Sequence, residues 1–251
     1  MTRLFTLVST LSLTFLAFAN LQPAFASIVT YSDTTFNNGD WSLTTLQKNN
    51  GGSVLAFQSG LQVNSAPWAR FVEHNINAGT SSAVSSVAGL HLRNGATWDP
   101  AQQGELSSVC FSIDYDFDNS TGSVSGSVGL GALLFQGGKW YAGGYSGVSD
   151  GTGFTNYTAA PLTASSFSEV DLGSSTPVFN SLSKPDFSAA GGAMTFGFMT
   201  GNSNSASNPI QYSRAYFFDD WSMTLKAVPE PGSGAVLLIG SALFGLIRRR
   251  R

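Results

Sequence analysis

The chain holds one cysteine, Cys110, and two histidines, His74 and His91. A single thiol cannot form an intramolecular disulfide, so stability has to come from buried area, and within the apolar run "SVCFSI" the expected role of Cys110 is a small core side chain. Neither histidine belongs to an H-E-x-x-H or a Cys/His cluster, which removes the usual zinc patterns and leaves them as surface or satisfied core residues. There is no G-x-S-x-G elbow, and "DGTGF" lacks the rest of a phosphate-cradling pattern. Charge is scarce too, at 11% of residues. Between Ser27 and Lys226 seven Lys/Arg face fourteen Asp/Glu, a balance of about minus seven that repels phosphate backbones, so nucleic acid is excluded as a partner.

The middle of the chain also lacks long stretches with apolar residues at i, i+3, i+4 and i+7, so helices should be few. Period-two alternation between turn signals such as "NNGD", "NNGG", "QGGK" and "SDGTG" stands in their place. "CFSIDYDFD" sets Phe111, Ile113, Tyr115 and Phe117 on one face and Ser112, Asp114, Asp116 and Asp118 on the other. "AYFFDDWSMTL" aligns Phe217, Trp221, Met223 and Leu225, with Asp219 interrupting that face. "WSLTTLQ", "SVLAFQS", "WARFVEHNI", "GLHLRN", "VGLGALLFQ", "KWYAGGYS" and "MTFGFMT" read as further strands. So many short strands predict an all-β fold, an antiparallel jelly-roll-like β-sandwich, whose core the 12% aromatic content would fill. "DWSLTTL" from Asp40 and "DWSMTL" from Asp220 echo each other; both are read as strands entered through a turn. Trp140 and Tyr141 form a candidate aromatic platform for carbohydrate.

Asp114, Asp116 and Asp118 on one strand make an acidic row that needs solvent or a cation. Calcium is the hard ion such oxygens would take, but no EF-hand is present: the sixth position from Asp114 is Asn119 and the twelfth is Ser125. Paired carboxylates could hydrolyse a glycosidic bond, yet the acidic strand has no Glu, and Glu169 with Asp171 is placed on a loop edge. Enzymatic activity therefore has no motif behind it. Sequons occur at Asn119 and Asn156.

The two ends of the chain are more specific. Arg3, the apolar run "LFTLVSTLSLTFLAFANL" and the A-x-A exit at Ala24 to Ala26 describe a signal peptide over residues 1–26, with cleavage before Ser27. The domain then covers 27–226. At the other end "VPEP" precedes an uncharged run from Gly234 to Ile247, fourteen residues that as a helix reach about 21 Å, short of the roughly 30 Å hydrocarbon core. Including Gly232 and Ser233 and the stems of Arg248, Arg249, Arg250 and Arg251 extends the transmembrane segment to 232–247 with a basic stop on the cytoplasmic side. Pro-Glu-Pro is extended and poor in backbone donors, so an enzyme can grip it without unfolding a domain.

This order of "VPEP", apolar helix and basic cluster resembles the PEP-CTERM sorting signal of exported bacterial proteins. The resemblance implies that Pro229, Glu230 and Pro231 are recognised by an exosortase-type membrane transpeptidase, that residence in the inner membrane is transient, and that the protein ends in the cell envelope or matrix of an exopolysaccharide-producing bacterium. "FFDDWSMTL" and "FNNGDWSLTTL" look like the terminal strands of galactose-binding-like or concanavalin-like jelly rolls. That likeness implies a calcium shared by Asp33 and Asp219 or Asp220. The expectation is a non-catalytic structural or carbohydrate-binding sandwich with extracellular polysaccharide as its partner; a secreted polysaccharide hydrolase is the alternative.

Overall fold

The computed structural model describes residues 26–49, 51–60, 68–80, 83–118, 127–149, 153–171 and 178–229. Ala24, Glu230, Pro231, the segment 232–247 and Arg248 to Arg251 lie outside the described residues, as does the sequon at Asn119. Ile28–Ala227 forms one compact unit.

The alternation in "CFSIDYDFD" becomes β6 (Leu106–Phe117), whose Phe111, Ile113, Tyr115 and Phe117 are buried on the inner face. The other strands are β1 (Ile28–Asp33), β2 (Trp41–Lys48), β3 (Gly52–Ser59), β4 (Ala69–Ile76), β5 (Ser85–Trp98), β7 (Ser127–Gln136), β8 (Lys139–Ser149), β9 (Thr155–Leu162), β10 (Phe167–Asp171), β11 (Val178–Asn180), β12 (Met194–Asn204) and β13 (Tyr212–Ala227). They pair into two antiparallel sheets. The first runs β3-β4-β13-β6-β9, with β1 also on β13; the second runs β11-β10-β8-β7-β12-β5-β2. The two face each other as a jelly-roll-like sandwich. Its core is aromatic: Trp98, Trp221, Tyr216, Phe36, Phe111, Phe167, Phe196, Phe198 and Phe218 are fully buried between the layers. Each such side chain contributes about 2–3 kcal/mol by leaving water. A single helical turn, Pro100–Gln103, is capped by the Asp99 side chain.

β1 and β13 lie in register from Ile28 opposite Lys226 to Asp33 opposite Trp221, so the first and last strands of the unit leave it side by side. The β7–β8 hairpin closes on Gly137 and Gly138, both at positive φ, the conformation that the "QGGK" signal requires.

Three readings of the strands need correction. β13 carries a bulge between Asp219 and Ser222, where Asp220 takes a φ of 48°, and the extra residue reverses the parity of the strand. Tyr216 and Phe218 therefore share the inner face with Trp221, Met223 and Leu225, while Phe217 turns outward and packs edge-on against Phe71, itself against Phe57. Trp221 thus enters from a mid-strand bulge and not from a turn; the two echoing tryptophans meet, Trp41 and Trp221 packing edge-on at 5.2 Å. Cys110 stands half-buried on the outward face of β6 opposite Thr224, because it has the parity of Ser112 and not that of Phe111. Finally, Glu169 lies within β10 and pairs with Lys139 at 2.8 Å.

Candidate functional site

The acidic residues are dispersed by the pleat. Asp114 stands directly opposite Asp219 across β6 and β13 and accepts from Asn156 Nδ2 at 2.6 Å, so the sequon asparagine is engaged within the domain. Asp219 is pushed up to about 6, first by burial and then, after a lowering hydrogen bond from the Asp220 amide, by the charges of Asp220, Asp114 and Asp33. Asp116 is buried next to Phe217 and accepts from the Phe117 amide. Asp33 does not fit a shared calcium. Its Oδ1 accepts from the Thr35 and Phe36 amides and the Thr35 hydroxyl; its Oδ2 accepts from Trp41 Nε1 and forms an ion pair with the Arg93 guanidinium, each at 2.9 Å. Burial alone would raise this carboxyl, but the hydrogen bonds from Thr35, Phe36 and Trp41 hold it below its usual value. Among the described residues no three His, Cys, Asp or Glu side chains gather where they could hold a metal ion.

A buried polar cluster lies between the sheets near Asp33, which composition does not reveal. β4 sends in Arg70 and His74, β5 His91, and β12 Thr200, and all four are buried. Arg70 Nε donates to His91 Nδ1 at 3.3 Å, and the Thr200 hydroxyl bridges His74 Nε2 at 2.9 Å and His91 Nε2 at 3.3 Å. His91 also stacks on Phe198 at 4.4 Å, and Arg70 lies over the Trp41 ring. A methyl group at Gly89 would come within 2.8 Å of both His91 Nε2 and the Thr200 hydroxyl, so the glycine makes the bridge possible. Burial lowers His74 to about 3; burial, then the charges of Arg70 and His74, takes His91 well down. Arg70 is drawn down to about 10 by burial, against the pull of Asp33. Both histidines are therefore neutral core residues.

The outer face of the second sheet carries a different constellation. Trp140 and Tyr141 do not form a platform, since adjacent strand residues point to opposite faces: Tyr141 enters the core, while Trp140 packs outward on Phe135 at 4.6 Å. The outward aromatic that forms a site is Tyr145. β8 bulges opposite Leu130–Ala132, with Gly144 at positive φ, and this returns Tyr145 to the outer face. There it lies over β7 and β12 because Gly129 and Gly201 have no side chains: a methyl at either would overlap its hydroxyl. Phe179 of β11 packs on its edge at 4.9 Å. Ser127, Gly129, Tyr145, Gly147, Phe179 and the Gly201–Ser203 segment line a pocket of about 310 Å³ that crosses four strands. Beside it on the same face lies an apolar layer of Ala88, Leu90, Leu133, Ala142, Val170 and Met199. Among the described residues the pocket lining contains no charged side chain. Burial raises the Tyr145 phenol, so it stays protonated at neutral pH. The signal for this site was the series of glycines inside strand patterns, "VGLGALL" and "MTGN", which mark close approach of another group to the backbone.

Residues 227–251 match the PEP-CTERM protein-sorting motif. The sorting signal thus begins where β13 ends, with Val228 and Pro229 exposed. A PEP-CTERM signal implies export by membrane-associated sorting; among the described residues no helix is long and apolar enough to cross a membrane. Comparison with curated proteins found no match. Among solved structures the chain is similar to a family 11 carbohydrate-binding module from Clostridium thermocellum in complex with a beta-1,3-1,4-mixed-linked tetrasaccharide. The identity is 10% and the TM-score 0.42, with 80% of this chain and 96% of that one covered. It is similar as well to the xylan-binding CBM22-1 domain from Paenibacillus barcinonensis, at 10% identity and a TM-score of 0.37 over 82% and 99% of the two chains. A third likeness is to a putative sugar binding protein from Bacteroides thetaiotaomicron, at 9% identity and a TM-score of 0.37 over 81% and 100%.

Proposed function

We propose that this is an exported envelope or matrix protein whose sandwich binds extracellular polysaccharide, without catalysis, in the Tyr145 pocket. The observation that carries the reading is the aromatic wall of Tyr145 and Phe179 over a glycine floor. A concave, largely apolar site with a few polar groups is the ordinary form of a small-ligand pocket, and the flat ring offers a surface for the C–H face of a sugar. The PEP-CTERM tail supplies the delivery: an exosortase-type enzyme reads Pro229, Glu230 and Pro231 while the apolar segment pauses in the inner membrane and Arg248 to Arg251 remain cytoplasmic. The test is a glycan-array screen of the full-length protein in detergent, with and without calcium, beside Tyr145→Ala. Binding that the substitution removes supports the reading; silence from the wild-type protein under both conditions overturns it.

The alternative, polysaccharide hydrolysis, draws on one observation, that Asp219, raised by burial and by its acidic neighbours, stands directly across from Asp114. These two lie on the outer face of the other sheet, away from the pocket. Release of reducing ends from a bound polymer, abolished by Asp114→Asn, would favour it.

A further inference from the structure

Resting on that reading of the pocket, we infer that its ligand is an uncharged glycan and that the Tyr145 hydroxyl determines which one is held. The inference starts from an unsatisfied group. The Tyr145 hydroxyl lies above Gly129 and Gly201, and no hydrogen bond from it to any described residue exists. The hydroxyl opens on the pocket, and because none of the described lining residues pairs with it, water or a ligand has to. Asn202, its polar neighbour in the lining, is already committed: its Nδ2 donates to Tyr216 at 2.7 Å, and its Oδ1 accepts from Tyr212 and from the Ser203 amide. The Tyr145 hydroxyl is thus the deep polar atom of the pocket still available to a ligand, with the exposed Ser127 and Ser203 at the rim.

A neutral phenol both donates one hydrogen bond and accepts another, which matches a sugar hydroxyl. It matches a carboxylate, sulfate or phosphate poorly, because the described lining residues include no Lys, Arg or His to offset the charge and the surrounding domain is itself acidic. An amino sugar would equally lack a carboxylate inside the pocket. A hydrogen-bonding hydroxyl discriminates by leaving a buried polar group unpaired when the ligand lacks its counterpart.

The experiment is native affinity electrophoresis of the full-length protein in detergent through gels holding matched polymers that differ in charge: hydroxyethyl cellulose against carboxymethyl cellulose, and starch against its carboxymethyl derivative. Wild-type protein, Tyr145→Phe and Gly201→Val are compared. Retardation by at least one neutral polymer, at least tenfold weaker retention by its carboxymethyl twin, and a loss of about three- to tenfold in Tyr145→Phe are expected. Gly201→Val, which displaces the ring, should abolish retention. Equal or stronger retention by an anionic twin, or a Tyr145→Phe protein that binds like wild type, overturns the inference while leaving carbohydrate binding standing. No retardation by any polymer overturns both.

Discussion

Thr200 and Gly201 are neighbours on β12, and the pleat sends them to two polar sites of opposite kinds. Thr200 faces inward and joins His74 to His91, inside a cluster in which Arg70 also donates to a protein partner. Gly201 faces outward and leaves room for a tyrosine whose hydroxyl has no such partner. Both depend on a missing side chain, Gly89 for the first and Gly129 with Gly201 for the second. The difference lies in where the hydrogen bonds end. A network of protein partners inside the sandwich contributes to one well-defined fold, whereas an open hydroxyl in a pocket is a capacity for a ligand.

The comparison breaks first at Asp33, where the largest effect is expected. Its buried carboxylate accepts from three N–H groups and a hydroxyl, and it pairs with the half-buried guanidinium of Arg93. Asp33→Ala should cost about 3–5 kcal/mol in urea unfolding, because it leaves several buried donors unpaired at once and takes from Arg93 the nearer of its two carboxylates. A loss below about 1 kcal/mol would show that the cluster is not a stabilising centre.

Acid should come next. His74 and His91 are held neutral in the fold, so below an unfolded value of about 6.5 the unfolded chain takes up protons that the native state refuses. Stability then falls as the pH falls, by about 1.4 kcal/mol per unit for each histidine, until His74 itself titrates near 3. The melting temperature should drop steeply between pH 6 and 4, and Thr200→Val, which removes the shared hydroxyl, should lower it further at every pH. A flat profile over that range would contradict the buried neutral pair. On the outward side Gly201→Val should act differently. It should cost about 1–3 kcal/mol through overpacking against Tyr145, with no change in the acid profile, since nothing in the histidine cluster moves.

These two sites were legible to different degrees. The sandwich could be read because alternation in β6, β7 and β12 is strong and the turns are marked by glycine. The parity of β13 could not, since a bulge at Asp220 adds one residue without any glycine to announce it. β9, β10 and β11 were missed because β10 and β11 are only five and three residues long and β9, with its Asn, Thr and Pro, has the composition of a loop. The inner cluster was invisible for a related reason: Arg70 and His74 on β4 belong to one sheet, His91 on β5 and Thr200 on β12 to the other, and only the packing of the two sheets face to face assembles them. Tyr145 was masked by its neighbours, Trp140 and Tyr141, which looked more like a platform in one dimension than the pleat allows. The glycines at 129, 131 and 201 were the available signal, read there as part of strands rather than as a bed for a ring.

The smallest effect tests the acidic face on the other sheet, where no guanidinium stands in for solvent. Asp219 has a folded value near 6 against an ordinary value of 3.8, so between those limits the native state holds a proton that the unfolded chain has released. Its contribution therefore runs opposite to that of the histidines: it stabilises on acidification and becomes a penalty as the pH rises past 6. Asp219→Asn removes the penalty and should raise stability at pH 7.5 by about 1 kcal/mol, a figure reduced for the partial exposure of the group. At pH 4 the variant and the wild type should melt together. If the gain were instead equal at both pH values, the benefit would come from hydrogen bonding by the amide and not from relief of the repulsion between Asp219 and its neighbours Asp114 and Asp220. Bound calcium would produce the reverse sign, a loss of stability in Asp219→Asn at pH 7.5 that chelation erases in the wild type, and melting with and without chelator therefore separates a solvated carboxylate row from a metal-holding one.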